Sequence, residues 1–137
     1  MRTKVAVAIF RENGKTLVCQ RKKTARYALK WEFPGGKVEN NESAVACLKR
    51  ELKEELGIEA EVGDLYFRQE YTYPDSGSFE ILYYLVRSYR PMAEGLRDDA
   101  YEQIRWIPEY ELKEIEMLEG NRAVVKKMAN ETRRGDP

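Results

Sequence analysis

The sequence predicts an α/β domain, and three observations carry the prediction. Apolar residues Val45, Leu48, Leu52 and Leu56 recur at helical spacing within residues 36 to 58, which marks a helix with one buried face. Stretches rich in β-branched and aromatic residues flank it and are punctuated by Asn-Gly and Pro-Asp-Ser-Gly turn signals. A second helical stretch, residues 121 to 130, turns Val124, Val125 and Met128 inward. At 137 residues the chain is read as one domain, 1–137, with a sizeable core.

Taken in order, residues 4–10 and 16–21 read as two strands of a hairpin, joined through Asn13-Gly14. A basic run follows, Arg21, Lys22, Lys23 and Arg26; Arg21 ends a strand and points towards a glycine turn, where a guanidinium can meet a phosphate with two parallel hydrogen bonds. In Trp31-Glu32-Phe33-Pro34-Gly35-Gly36, proline fixes the turn and the glycines allow close approach of backbone to a ligand or metal. The acidic helix comes next, with Asn41 as its expected cap, Glu42 in its favourable first turn, and Gly57 ending it.

Beyond the helix, residues 58–73 and 78–89 form a long hairpin around Pro74 to Gly77. Neither face of 78–89 is wholly polar, so this strand is expected to be central, with Tyr83 and Tyr84 read as core residues rather than base-stacking ones. Residues 90–100 form a loop, 101–107 a short strand containing Trp106, and 109–112 a helical turn. Residues 114–118 connect to the last helix, and the polar tail 132–137 is read as frayed.

Composition narrows the function classes. The 24 basic and 24 acidic residues cancel, so duplex nucleic acid is not an expected partner, and no apolar run approaches membrane-spanning length. The segment from Met1 to Phe10 is too short for a signal core with a cleavage site, so the protein is expected in the cytoplasm. There is no histidine, which excludes Ser-His and Cys-His nucleophiles and leaves proton transfer to carboxylates, Lys, Tyr or metal-bound water. Cys19 and Cys47 are read as reduced core residues.

The acids of the helix are poorly placed for stability. Glu51, Glu54 and Glu55 stand at i, i+3 and i+4 in the last turns, where like charges repel and the dipole disfavours them, at a cost of about 0.3 to 1 kcal/mol each. Either Lys49, Arg50 and Lys53 neutralise a solvated face, or the acids await a cation. Hard oxygen ligands would select Mg²⁺ or Mn²⁺, which commonly bring a substrate's phosphates.

Gly36, Glu42 and Arg50-Glu51-Leu52-Lys53-Glu54-Glu55-Leu56-Gly57-Ile58 match the Nudix box, residues 36–58, at every defining position. The chain therefore resembles the Nudix hydrolases, and Trp31 to Gly36 together with Tyr71-Thr72-Tyr73-Pro74-Asp75 resemble their MutT-type branch. The resemblance implies an α/β/α sandwich, with a mixed, partly antiparallel sheet between the box helix and the C-terminal helix. It implies Mg²⁺-dependent cleavage of a nucleoside triphosphate, such as an oxidised guanine nucleotide, to the monophosphate and pyrophosphate. Glu51, Glu54, Glu55 and the Gly35 carbonyl would hold metal, and Arg50 would orient Glu51 while Glu42 stays structural. Glu51 or a loop acid would take the proton of the attacking water; Glu102 is favoured by its spacing to Trp106, over Asp98 and Asp99. Arg21 would contact phosphate, Phe33 would line the nucleotide site, and Asn121 would read the base edge unless it serves as a helix cap.

Three other readings share these residues. ADP-ribose, a dinucleoside polyphosphate or a capped RNA end is the first alternative substrate, because specificity lies in loops rather than in the fold. A silent nucleotide-binding module and a purely structural domain are the others. A monomer and a homodimer are equally compatible with the sequence.

Overall fold

The computed structural model describes residues 2–91 and 100–135, the side chains of 132–135 excepted. One sheet has the order β5-β1-β7-β6, built from β1 (Thr3–Ile9), β5 (Gly35–Lys37), β6 (Ile58–Tyr73) and β7 (Gly77–Pro91). β1 runs parallel to β7 and the other pairs are antiparallel, so the sheet is mixed and β7 lies inside it, as expected. The second sheet centres on β3 (Lys15–Gln20). β8 (Gln103–Pro108) runs along the whole of β3, while β2 (Arg11–Glu12) and β4 (Trp31–Glu32) meet its two ends.

Two helices cover the first sheet. α1 (Ala44–Leu56) buries Cys47, Leu48, Leu52 and Leu56 in a cluster with Ala6 and Ala8 of β1 and with Phe10 just past its end; each leucine contributes about 1.5–3 kcal/mol. α2 (Arg122–Gly135) packs Val124, Val125 and Met128 on the other face, against Val7, Ile9, Ile81 and Tyr83. Strand alternation sends neighbours to opposite cores: Tyr83 is fully buried on the α2 side, and Tyr84 packs on the α1 side. The α/β/α arrangement is the one expected.

Three local expectations are corrected. The Asn13-Gly14 turn, with φ of 54° and 75°, joins β2 to β3 rather than 4–10 to 16–21. The chain leaves the first sheet at Phe10, and β1 pairs with β7 and β5 instead. The cap of α1 is Ser43, whose hydroxyl accepts from the Ala46 N–H at 3.0 Å, while Asn41 takes a left-handed turn conformation (φ 67°). The last helix extends to Gly135, past Asn130. Gly57 ends α1 as expected, at φ 64° with its N–H on the Leu52 and Lys53 carbonyls.

Thr16, fully buried between Arg11 and Ile107, has a hydroxyl without a hydrogen-bond partner among the described residues. Valine keeps the β-branched shape and removes the desolvated group. Thr16→Val is expected to stabilise the fold by about 1 kcal/mol, read as a higher melting temperature; a lower one would show that the hydroxyl has a partner.

Candidate active site

The strand-loop-helix unit from β5 to α1 places the acids. Gly35 pairs with Val7 of β1, and a Cβ on Gly35 would stand 2.1 Å from the Ala6 carbonyl oxygen. At Gly36 an added Cβ would stand 2.4 Å from Glu51 Cδ. Gly35 thus lets the strand close on β1, and Gly36 makes room for a carboxylate of the helix.

Arg50 ties the acidic face together. It grips Glu42 with two hydrogen bonds of 2.9 Å each, and donates to Glu51 at 2.8 Å and to Glu54 at 3.1 Å. Glu42 also accepts from the Glu39 N–H. The Arg50 bonds, then that backbone bond, hold its carboxyl down at about 2. Glu42 therefore braces the loop entering the helix; it stands before the Ser43 cap and not in the first turn, which holds no acid.

Glu54 is exposed on the Arg50 side, and among the described residues no three acids converge on one metal-sized point. The trio read from the helix is thus divided, because Arg50 neutralises Glu51 and Glu54 from the outer side while Glu55 faces inward. Burial pushes the Glu55 carboxyl up from 4.5 to about 8, helped by repulsion from Glu51 and Glu32 and opposed by a hydrogen bond from Tyr101. Glu55 and Glu32 are desolvated acids on the wall of one cavity that Gly35 also lines, and hard oxygen groups held against their own charge are the chemistry that suits a divalent cation.

Glu55 opens onto a cavity of about 670 Å³ that Arg21, Phe33, Gly35 and Asn121 also line. A second cavity of about 660 Å³, on the outer side of α1 near Lys49, Lys53 and Arg90, contains none of these residues. Volume does not separate the two; the chemistry of the walls does. Arg21 is already engaged, donating to the Arg26 carbonyl at 2.8 Å and to Glu32 at 3.1 Å. Glu32 is itself pushed up by burial against the pull of Arg21. Asn121 is not a side-chain cap: it is buried, and its Oδ1 accepts from the Tyr83 hydroxyl at 2.6 Å.

Glu102 is exposed and does not line this cavity. Its N–H is held by the Gln20 carbonyl, and the neighbouring Tyr101 points inward instead. Asp98 and Asp99 lie outside the described residues. Sequence reasoning missed Glu32, Tyr101 and the aromatic wall of Tyr27, Tyr73 and Phe79. Tyr27 and Tyr73 meet at 5.1 Å, and Arg26 and Tyr27 hydrogen-bond across to Asp75 and Ser76. The Tyr71 to Asp75 motif carried a signal for the wall; contact with the distant 21–30 loop did not show in it.

A NUDIX domain model matches residues 1–128. The chain belongs to the NUDIX family. It is 33% identical over 129 residues to the 8-oxo-dGTP diphosphatase of Haemophilus influenzae, covering 93% of this chain and 92% of that one. Over 60 residues, 44% of each chain, it is 53% identical to the CTP pyrophosphohydrolase of Escherichia coli. The solution structure of the E. coli ORF135 protein aligns over 100% of this chain and 96% of that one, with a TM-score of 0.81 and 29% identity. Nudix hydrolases generally use divalent metal ions, in keeping with the donor set found here.

Proposed function

We propose that this Nudix protein is an Mg²⁺-dependent pyrophosphohydrolase that converts a nucleoside triphosphate to the monophosphate and pyrophosphate by attack of water on phosphorus. The observation that carries the reading is one cavity in which an inward-facing acid of the box helix, the glycine turn, Arg21 and an aromatic wall meet. The relatives named for 8-oxo-dGTP and for CTP support a nucleotide with three phosphates, and Mn²⁺ is an alternative metal by the same oxygen chemistry.

Glu51, Glu55 and the Gly35 carbonyl would hold the cation, joined by Glu54 on release from Arg50. When bound, such an ion would supply charge neutralisation for the phosphates and a lowered pKa for a water. Arg50 holds Glu51 from behind, so Glu51 keeps its direction as charge builds. A Glu51 or Glu55 carboxylate is the proton acceptor for water, since Glu102 faces away. Arg21 would turn from Glu32 to phosphate, and Phe33 and Tyr73 would exclude water around the base. Asn121, oriented by Tyr83, would read the base edge.

The test is product chromatography after incubation with Mg²⁺ and canonical or oxidised nucleoside triphosphates, ADP-ribose and a dinucleoside tetraphosphate. A triphosphate giving monophosphate and pyrophosphate, with preference for one base, is the expected result. Asn121→Ala should then reduce that preference about 10-fold. Cleavage of ADP-ribose or the dinucleotide alone would overturn the substrate assignment while leaving the metal chemistry in place.

A further inference from the structure

We infer that Tyr101 is a positioning residue for Glu55, holding its carboxylate in the direction in which it meets the cation and the substrate. The inference rests on the metal reading above and assigns a task to a residue outside the Nudix box.

Tyr101 Oη donates to Glu55 Oε1 at 2.9 Å, joining the approach to β8 to the last turn of α1 across 46 residues of chain. The ring is buried, with only 8% of its surface exposed, and lies beside the fully buried Cys19 thiol. The next residue is pinned by its N–H to the Gln20 carbonyl at 2.9 Å. The hydroxyl is thus fixed from the second sheet, whereas Glu55 reaches it on a flexible side chain.

Glu55 needs such a tether. Glu51 and Glu32 stand close enough to repel its charged form, and the Tyr101 hydroxyl is the donor that meets it from the side of the second sheet. An arginine in that place would compete with a metal for the carboxylate's charge, as Arg50 does at Glu54. A phenol is neutral and donates a single hydrogen bond, so it orients Oε1 and leaves Oε2 for a ligand. The two roles are therefore divided between two donors: Arg50 acts on the outer acids and Tyr101 on the inner one.

Tyr101→Phe keeps the ring and its packing while removing the donor. Mn²⁺ affinity is read without nucleotide, from the spectrum of free Mn²⁺ by electron paramagnetic resonance, alongside kcat and KM for the triphosphate. The dissociation constant is expected to rise about 10-fold, with a matching fall in kcat, a nearly unchanged KM and a metal-free melting temperature close to the wild type. In a Glu55→Gln background the same substitution should change Mn²⁺ binding no further. Wild-type Mn²⁺ affinity in Tyr101→Phe, or an equal loss in the Glu55→Gln background, would overturn the inference. Failure of the wild-type protein to bind Mn²⁺ would instead overturn the metal reading on which it rests.

Discussion

Glu55→Gln is expected to lower kcat by about 10²- to 10³-fold while the protein stays folded. Glu55 is the inward-facing acid of the box helix, and its amide would be a weaker ligand and no proton acceptor. Stability should move the other way. The Glu55 carboxyl is held above its ordinary 4.5, at about 8, by burial and by its acidic neighbours, so the metal-free fold favours the protonated form. That contribution is complete below 4.5 and is lost as pH rises through 8. Glutamine resembles the protonated acid at every pH. The metal-free variant should therefore match wild type in acid and melt higher above pH 8, and a variant that melts lower at high pH would show that the carboxylate is satisfied without a cation.

Gly36→Ala is expected to reduce kcat by about 10²-fold with little change in stability. The new Cβ would lie 2.4 Å from Glu51 Cδ and 2.6 Å from Glu51 Oε2. The far end of a side chain can yield to it, so the fold survives. The carboxylate cannot yield without leaving its place between Arg50 and Glu55, and a displacement near 1 Å at a reacting centre costs about that factor. Gly35→Ala is the contrast, because its Cβ would strike the Ala6 carbonyl and the β1 backbone and should destabilise the protein outright. Activity and melting curves of the two variants separate a glycine needed by the site from one needed by the sheet. Full activity in Gly36→Ala would mean that the position of Glu51 is unimportant.

The parts of this molecule legible in its sequence are those set by local chemistry. Leu48, Leu52 and Leu56 define the buried face of α1 by their own spacing, and Gly57 stops the helix by its own backbone freedom. The Asn13-Gly14 turn was equally legible, but its partner strand was not. Two residues of β2 satisfy it, while β1 pairs with its neighbour β7, a contact made with the distant 77–91 segment that buries Val7 and Ile9. The cap went to Ser43 rather than Asn41, since both side chains can cap and only the path of the preceding loop selects between them.

The site divides in the same way. The acids and Arg50 lie on one helix, so their proximity follows from helical geometry, although the turning of Glu54 towards Arg50 does not. The bonds from Tyr101 to Glu55 and from Tyr83 to Asn121 join residues far apart in the chain. The bend leading into β8 sends Tyr101 inward and leaves Glu102 exposed, which the spacing to Trp106 alone did not predict.

The central claim is that the buried acids of the box helix are placed to hold a cation, and the most direct measurement is a melting curve near pH 8.5, with and without Mg²⁺, for wild type and Glu55→Gln. The account predicts that Mg²⁺ raises the wild-type melting temperature by several degrees, about 3 kcal/mol at a hundredfold excess over its dissociation constant. The shift in the variant should be much smaller. Equal shifts in the two proteins, or none in wild type, would contradict it.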